Sequence, residues 1–201
     1  ASVTDSFTIA VANTNDAPAV SSTAVTAVDE DALYSYSITT SDDDSDSSDS
    51  WTITSTSVSW LTLTHTAGAS TATLAGTPVD GDVGDHSVTI TVADAAGTTG
   101  TQAFTISVAN TNDAPSITST GGTAVDEDAL YSYSITTSDD DSDSSDSWTI
   151  TSSTVSWLTI THTAGASTAT LAGTPANGDV GSHSVTVTVA DAAGATDTET
   201  F

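Results

Sequence analysis

The side chains with chemistry to offer in this chain are carboxylates, and they come in clusters. SDDDSDSSD spans Ser41–Asp49 and recurs at Ser138–Asp146, VDED stands at Val28–Asp31 and Val125–Asp128, VDGDVGD covers Val79–Asp85, and VAD occurs at Val92–Asp94 and Val189–Asp191. Alternate Asp residues in one loop, as at Asp42, Asp44 and Asp46, point several oxygens at one centre, which is how a calcium shell of roughly six to eight oxygens is assembled. A solvated acidic loop is the alternative that this spacing alone leaves open. The whole-chain balance bears on the choice. There are 27 acidic residues and no Lys or Arg, for a formal net charge of −27. Such one-sided charge repels itself in a compact fold, and the chain has no basic side chain to answer it. A hard divalent cation suits carboxylate oxygen and would neutralise the clusters. The same balance excludes nucleic acid and anionic membrane surfaces, which need basic patches.

Catalytic chemistry is poorly supported. His65, His86, His162 and His183 each lie in or beside a Thr/Ser-rich strand with no Cys and no second His nearby, and they read as exposed neutral side chains. Paired carboxylates about 5–9 Å apart could serve a glycosidase. Here the acids repeat unit by unit, and an enzyme gains nothing from arrayed copies. GxSxG, HExxH and Gly-rich phosphate loops are absent from the sequence. The chain is read as a non-enzyme.

The elements that must position these acids are repeated. NTNDAP at Asn13–Pro18 returns at Asn110–Pro115, and the same offset relates Glu30–Thr54 to Glu127–Thr151 and Thr64–Pro78 to Thr161–Pro175. A unit of this length is a small domain, not a solenoid turn. Residues Ala1–Phe7 align with Thr98–Phe104 and Ala195–Phe201. The expected organisation is therefore 1–16 as last strand and linker of a preceding repeat, 17–112 as a first repeat, and 113–201 as a second repeat lacking most of its final strand. Tandem copies point to an excerpt of a longer array.

Within a repeat the periodicity is that of strands. SVTITVAD (Ser87–Asp94) and QAFTISVAN (Gln102–Asn110) alternate with period two, and LYSYSITT, WTITST and Leu61–Leu63 do likewise. Turn signals AGAS, GTPVDGDVG and DAAGTTG intervene. The spacing predicts an all-β chain of two tandem immunoglobulin-like Greek-key β-sandwiches. The expected core is Trp60, Leu61, Leu74, Val88, Val92 and Phe104, with counterparts Trp157, Leu158, Leu171, Val185, Val189 and Phe201. Tyr34 and Tyr36 share a face and turn inward, and Trp51 caps the sandwich. No run reaches membrane-spanning length, and ASVTDSFTIA lacks the charged and apolar regions of a signal peptide. Any signal is expected elsewhere in a longer parent chain. The absence of Cys excludes disulfides but not an extracellular home, since a metal can staple a small domain instead.

Taken together the motifs resemble a family. NTNDAP after a SVAN strand is similar to the cadherin inter-domain linker DxNDNAP, TTSDDD to the cadherin TDAD loop, VADAAG to its ATDGG strand end, and Glu30 or Glu127 to the early PEN glutamate. SWLTL, LAGTP and DVGDHSVTITVAD are closer to the bacterial dystroglycan-type cadherin-like domain, and the resemblance spans the repeat. It implies Ca2+ at domain junctions, shared by the base of one domain, the linker and the top of the next. At the central junction it implies Glu30, the linker residues Asn110, Asn112 (through its backbone carbonyl) and Asp113, and Asp139, Asp141 and Asp191. At the N-terminal junction it implies Asn13, Asn15, Asp16, Asp42, Asp44 and Asp94. Asn110 stands where cadherins usually have Asp, and the cadherin DRE motif is absent. Asp80 becomes Asn177 in the second copy, so Asp82 and Asp179 are taken as the base ligands there, with Glu127 as the counterpart of Glu30.

The resulting expectation is a calcium-rigidified extender repeat of a secreted bacterial surface adhesin or extracellular fibre, supporting adhesion by projecting a binding tip. Its partners are calcium ions and neighbouring repeats, with no membrane contact by this segment. Two alternatives remain open. One is direct binding, carbohydrate or homophilic. The other is head-to-tail self-association, in which one chain's spare N-terminal strand completes the next chain's sandwich.

Overall fold

In a computed structural model the chain divides into two compact units, Ala1–Asn110 and Thr111–Phe201. The structure describes residues 1–43, 51–56, 58–141, 148–153 and 155–201. Asp44 and Asp46 lie outside the described residues.

The alternation in the sequence becomes two-faced strands. In β3 (Tyr34–Ser41), Tyr34, Tyr36 and Ile38 are buried while Ser35, Ser37 and Thr39 face solvent. That is the period a pleated strand with one covered face requires. Unit 1 also has β1 (Ala19–Val20), β2 (Ala27–Asp29), β4 (Thr52–Ser55), β5 (Thr62–His65), β6 (Thr71–Gly76), β7 (Gly84–Ala93) and β8 (Thr99–Ala109). One sheet runs β1-β3-β6-β5 and the other β2-β8-β7-β4. The first strand is thus shared: β1 pairs antiparallel with β3 (Ala19↔Ser41), and β2 pairs parallel with the end of β8 (Val28↔Val108). This is the immunoglobulin-like arrangement.

The two sheets close on Tyr34, Tyr36, Ile38, Ile53, Leu74, Val88, Ile90, Val92 and Ile106. Each fully buried aliphatic or aromatic side chain stabilises the fold by about 1.5–3 kcal/mol. Leu74, Val88 and Val92 are buried as the pattern predicts, whereas Trp60, Leu61 and Phe104 are half-buried at the rim. The aromatic rings are too large to enter a layer already filled by the tyrosines. They stand edge-on to them instead, Trp60 against Tyr34 and Phe104 against Tyr36, each with centroids 5.7 Å apart. Trp51 is half-buried, while its counterpart Trp148 is buried.

Unit 2 repeats this with β9 (Ser116–Ile117), β10 (Tyr131–Ser138), β11 (Thr149–Ser153), β12 (Leu158–His162), β13 (Thr168–Gly173), β14 (Thr186–Ala190) and β15 (Thr196–Thr200). Its sheets run β12-β13-β10-β9 and β11-β14-β15. Leu158, Leu171, Val185 and Val189 are buried, and Trp157 and Phe201 are half-buried. Residues 124–126, the counterparts of β2, are in no strand, and β14 begins five residues later in the repeat than β7. Residues 1–18 are also in no strand, so Ala1–Ala12 differs from the expected final strand. A strand needs a ladder partner, and the large side chains Val3, Phe7, Ile9 and Val11 are exposed.

The histidines depart from the expected exposure. His65, His86 and His162 are half-buried, and only His183 is exposed. Each ring Nε2 lies 2.6–3.0 Å from a backbone carbonyl four residues away: His65 with Ala69, His86 with Asp82, His162 with Ala166 and His183 with Asp179. Among the described residues no helix is long and apolar enough to cross a membrane.

Candidate metal site

In unit 2 the acids nearest the linker are drawn into one hydrogen-bonded chain. β14 ends at Ala190, and the next residue, Asp191, is buried. Its Oδ1 accepts the Gly194 and Ala195 amides at 2.6 and 2.8 Å, which closes the turn of DAAG. Its Oδ2 accepts the side-chain amide of Asn112 at 2.8 Å. That amide also donates to the Asp113 carbonyl at 2.6 Å, and the Asp113 N–H donates to Asp141 Oδ2 at 2.6 Å. Asp141, itself buried, donates its N–H to Asp139 Oδ1 at 3.3 Å. The register Ser116↔Ser138 sets Asp139 beside the linker. Asp113, Asp139, Asp141 and Asp191 are therefore linked through their own backbone and one Asn side chain.

Unit 1 builds the same corner around Asp94, which follows β7. Asn15 Nδ2 donates to Asp94 Oδ2 at 2.9 Å, to Thr98 Oγ1 at 2.9 Å and to the Asp16 carbonyl at 2.8 Å. Thr98 N–H donates to Asp94 Oδ1 at 2.8 Å. Asp42, directly after β3, is half-buried, while Asn13, Asn15 and Asp16 are exposed. The side-chain amide of Asn15 or Asn112 thus acts as a donor to carboxylate, leaving the backbone carbonyl as the oxygen it can offer a cation.

The hydrogen bonds have an electrostatic consequence. Asp94 and Asp191 are held below the ordinary carboxylate range, chiefly by the Asn15 and Asn112 side chains and then by turn amides, against the opposing pull of burial. Both carboxylates stay charged through the neutral range.

The base ligands divide differently from the sequence expectation. Glu30 follows β2, is 2% exposed, and donates its N–H to the Ala109 carbonyl at 2.9 Å. A Glu30 carboxylate oxygen and an Asp80 carboxylate oxygen lie within 4.8 Å of each other. Asp82, preferred over Asp80 from the sequence, is committed elsewhere. Its Oδ2 accepts the Val79 N–H at 3.2 Å, closing its own turn, and its Oδ1 accepts the Ser59 hydroxyl at 3.3 Å. Asp179 does the same with the Ala176 N–H at 2.9 Å. In unit 2, Glu127 and Asp179 line one cavity of about 590 Å³, and Glu127 is exposed. Asn110, just past β8, is exposed. Sequence reasoning passed over Asp80 because Asn177 replaces it in the second copy; the turn that occupies Asp82 is invisible until the chain is folded.

The donor set is all oxygen, from carboxylates and carbonyls, which is the chemistry of Ca2+ and not of thiolate or imidazole metals. Fold and geometry together define a tandem immunoglobulin-like, cadherin-like β-sandwich with acidic corners beside its linkers. The chain belongs to the Putative Ig domain family, which it matches over residues 17–109 and 114–201. Among curated proteins none matches it by sequence. Of solved structures, it is similar to protocadherin gamma B2 extracellular cadherin domains 1-5 (16% identity, TM-score 0.58, 92% of this chain and 38% of that one). It is also similar to the human desmocollin-1 ectodomain (17%, TM-score 0.51, 94% and 36%). An endo-fucoidan hydrolase of glycoside hydrolase family 107 matches at 26% identity, TM-score 0.41, over 92% of this chain and 28% of that one. The chain spans less than half the length of each.

Proposed function

We propose that this chain is a calcium-rigidified extender of a bacterial surface adhesin or extracellular fibre, with a mechanical role and no catalytic one. The observation that carries the reading is the linked group Asn112, Asp113, Asp139, Asp141 and Asp191 in a chain with no Lys or Arg. Without metal these carboxylates repel one another next to a short linker. Ca2+ held by this corner, by linker carbonyls and by the Glu30 and Asp80 carboxylates would remove the linker's freedom and stiffen the array. The cadherin ectodomains among its structural neighbours support the fold that this mechanism needs. An extracellular location follows from the metal, because modules of this kind bind at roughly 10⁻⁴–10⁻³ M, a concentration found outside cells.

Thermal unfolding and small-angle scattering with and without millimolar Ca2+ test the proposal. A higher melting temperature and a longer, stiffer particle in Ca2+ are expected. Identical melting and identical scattering in the two buffers would leave the acidity as a solubility device and end the proposal.

A further inference from the structure

We propose that unit 2 accepts a β-strand from a second copy of this chain, and that the donated strand is Ile9–Asn13 of that copy. Unit 1 shows what fills the equivalent position. There the end of β8 runs antiparallel to the start of β7 (His86↔Ile106, Gly84↔Val108) and parallel to β2 (Val28↔Val108), with Ile106 and Val108 at 0% and 3% exposed. In unit 2 the ladder stops at Val185 and Phe201, which exchange N–H···O bonds of 2.9 and 3.0 Å. Beyond that rung, residues 181–184 and 124–126 flank the position without pairing. A groove of about 310 Å³ lies there, lined in part by Val125, Tyr131, Trp157, Val185 and Phe201.

The chain carries a segment that matches this gap. Ile9–Asn13 reads IAVAN, and Ile106–Asn110 reads ISVAN. Ile9 and Val11, the counterparts of the two buried β8 side chains, are 74% and 90% exposed. Placed in the β8 register, Ile9 lies opposite His183 and Val11 opposite Gly181, continuing the β14·β15 ladder and giving residues 124–126 the parallel partner that β2 has. Strand addition supplies main-chain hydrogen bonds, and the alternate side chains supply specificity. Donor and groove are different surfaces of the same chain, so the contact is heterologous and propagates head to tail.

The test is sedimentation of the 201-residue chain over rising concentration in EDTA, which removes metal-mediated association. This chain is the right object, because a strand of the same pattern attached beyond Phe201 would compete for the groove. A concentration-dependent series of head-to-tail oligomers is expected, dispersed by excess synthetic peptide TIAVAN. The double substitution Ile9→Asp, Val11→Asp changes only exposed side chains, so it leaves the fold intact, and it should weaken association at least a hundredfold, about tenfold or more per side chain. A chain that stays monomeric at every concentration overturns the proposal, as does a double variant that associates like the parent. So does a monomeric parent that ignores the peptide while the double variant binds it, for then each chain fills its own groove.

Discussion

Replacing Asp141 with Asn should move the stability of unit 2 in opposite directions with and without calcium. Asp141 is 8% exposed, and its Oδ2 accepts the Asp113 N–H. Asn keeps a carbonyl oxygen for that bond but removes one negative charge from a group that also holds Asp113, Asp139 and Asp191. In EDTA the loss of like-charge repulsion, about 1 kcal/mol for one close neighbour in a water-like dielectric, should raise the melting temperature by about 4–8 °C. In calcium the sign reverses. At a hundredfold excess over a dissociation constant of roughly 10⁻⁴ M, the bound ion stabilises by about 2.7 kcal/mol. A charged ligand lost with an approximately hundredfold drop in affinity leaves only about 0.4 kcal/mol of that. The parent should then melt above the variant by several degrees or more, after the EDTA gain is subtracted. Calorimetry of both proteins in EDTA and in about 10 mM CaCl2, that hundredfold excess, reads the effect directly. Shifts of the same sign in both buffers would refute the reasoning, because they would mean that Asp141 acts on the fold and not through a cation.

Three further outcomes are expected. Burial raises the phenol pKa of Tyr34 and Tyr133 to about 12, Tyr133 also through the Glu199 carboxylate that accepts its hydroxyl at 2.6 Å. Their contribution to stability is present below about pH 10 and lost as pH rises through about 12, so phenolate absorbance that reaches completion well below that window with the fold intact would contradict it. Asp94 and Asp191 are shifted the other way. Their contribution is present above about pH 3.9 and lost as pH falls through their lower folded values. In EDTA, stability should therefore hold until acidity passes that point, and an Asp94→Ala, Asp191→Ala chain whose acid limb matches the parent's would count against it. A Cβ at Gly173 would sit 1.8 Å from the Trp157 carbonyl oxygen. Gly173→Ala should thus destabilise unit 2 by about 1–3 kcal/mol, the usual range for overpacking, and an unchanged denaturant midpoint would show that the backbone yields freely.

Much of the fold was legible along the chain because a strand's two faces are written into alternate residues. YSYSITTS could be read as Tyr34, Tyr36 and Ile38 inward before any coordinates existed, and they are buried. The rim position of Trp60 and Phe104 was not legible, since hydrophobicity says that a side chain wants cover and not whether a layer has room for it. The linker motif was legible as oxygen-rich chemistry. The contact of Asn112 with Asp191, separated by 79 positions, was not, because only the closure of β14 against its neighbours fixes that distance.

The clearest division is between Glu30 and Glu127. Both stand in the same run, AVDEDALYSYSITT, so everything local about them is equal. The sequence determined the repeat, the strand alternation, the absence of any basic counter-charge and the oxygen character of every cluster. Tertiary structure decided that Glu30 is buried beside Asp80 while Glu127 is exposed, and that Asp82 closes its own turn. Residue type sets which chemistry is available, and pairing with a distant strand sets whether it is held in place. The segment before Glu30 pairs with the end of β8, and the one before Glu127 has no such partner in unit 2.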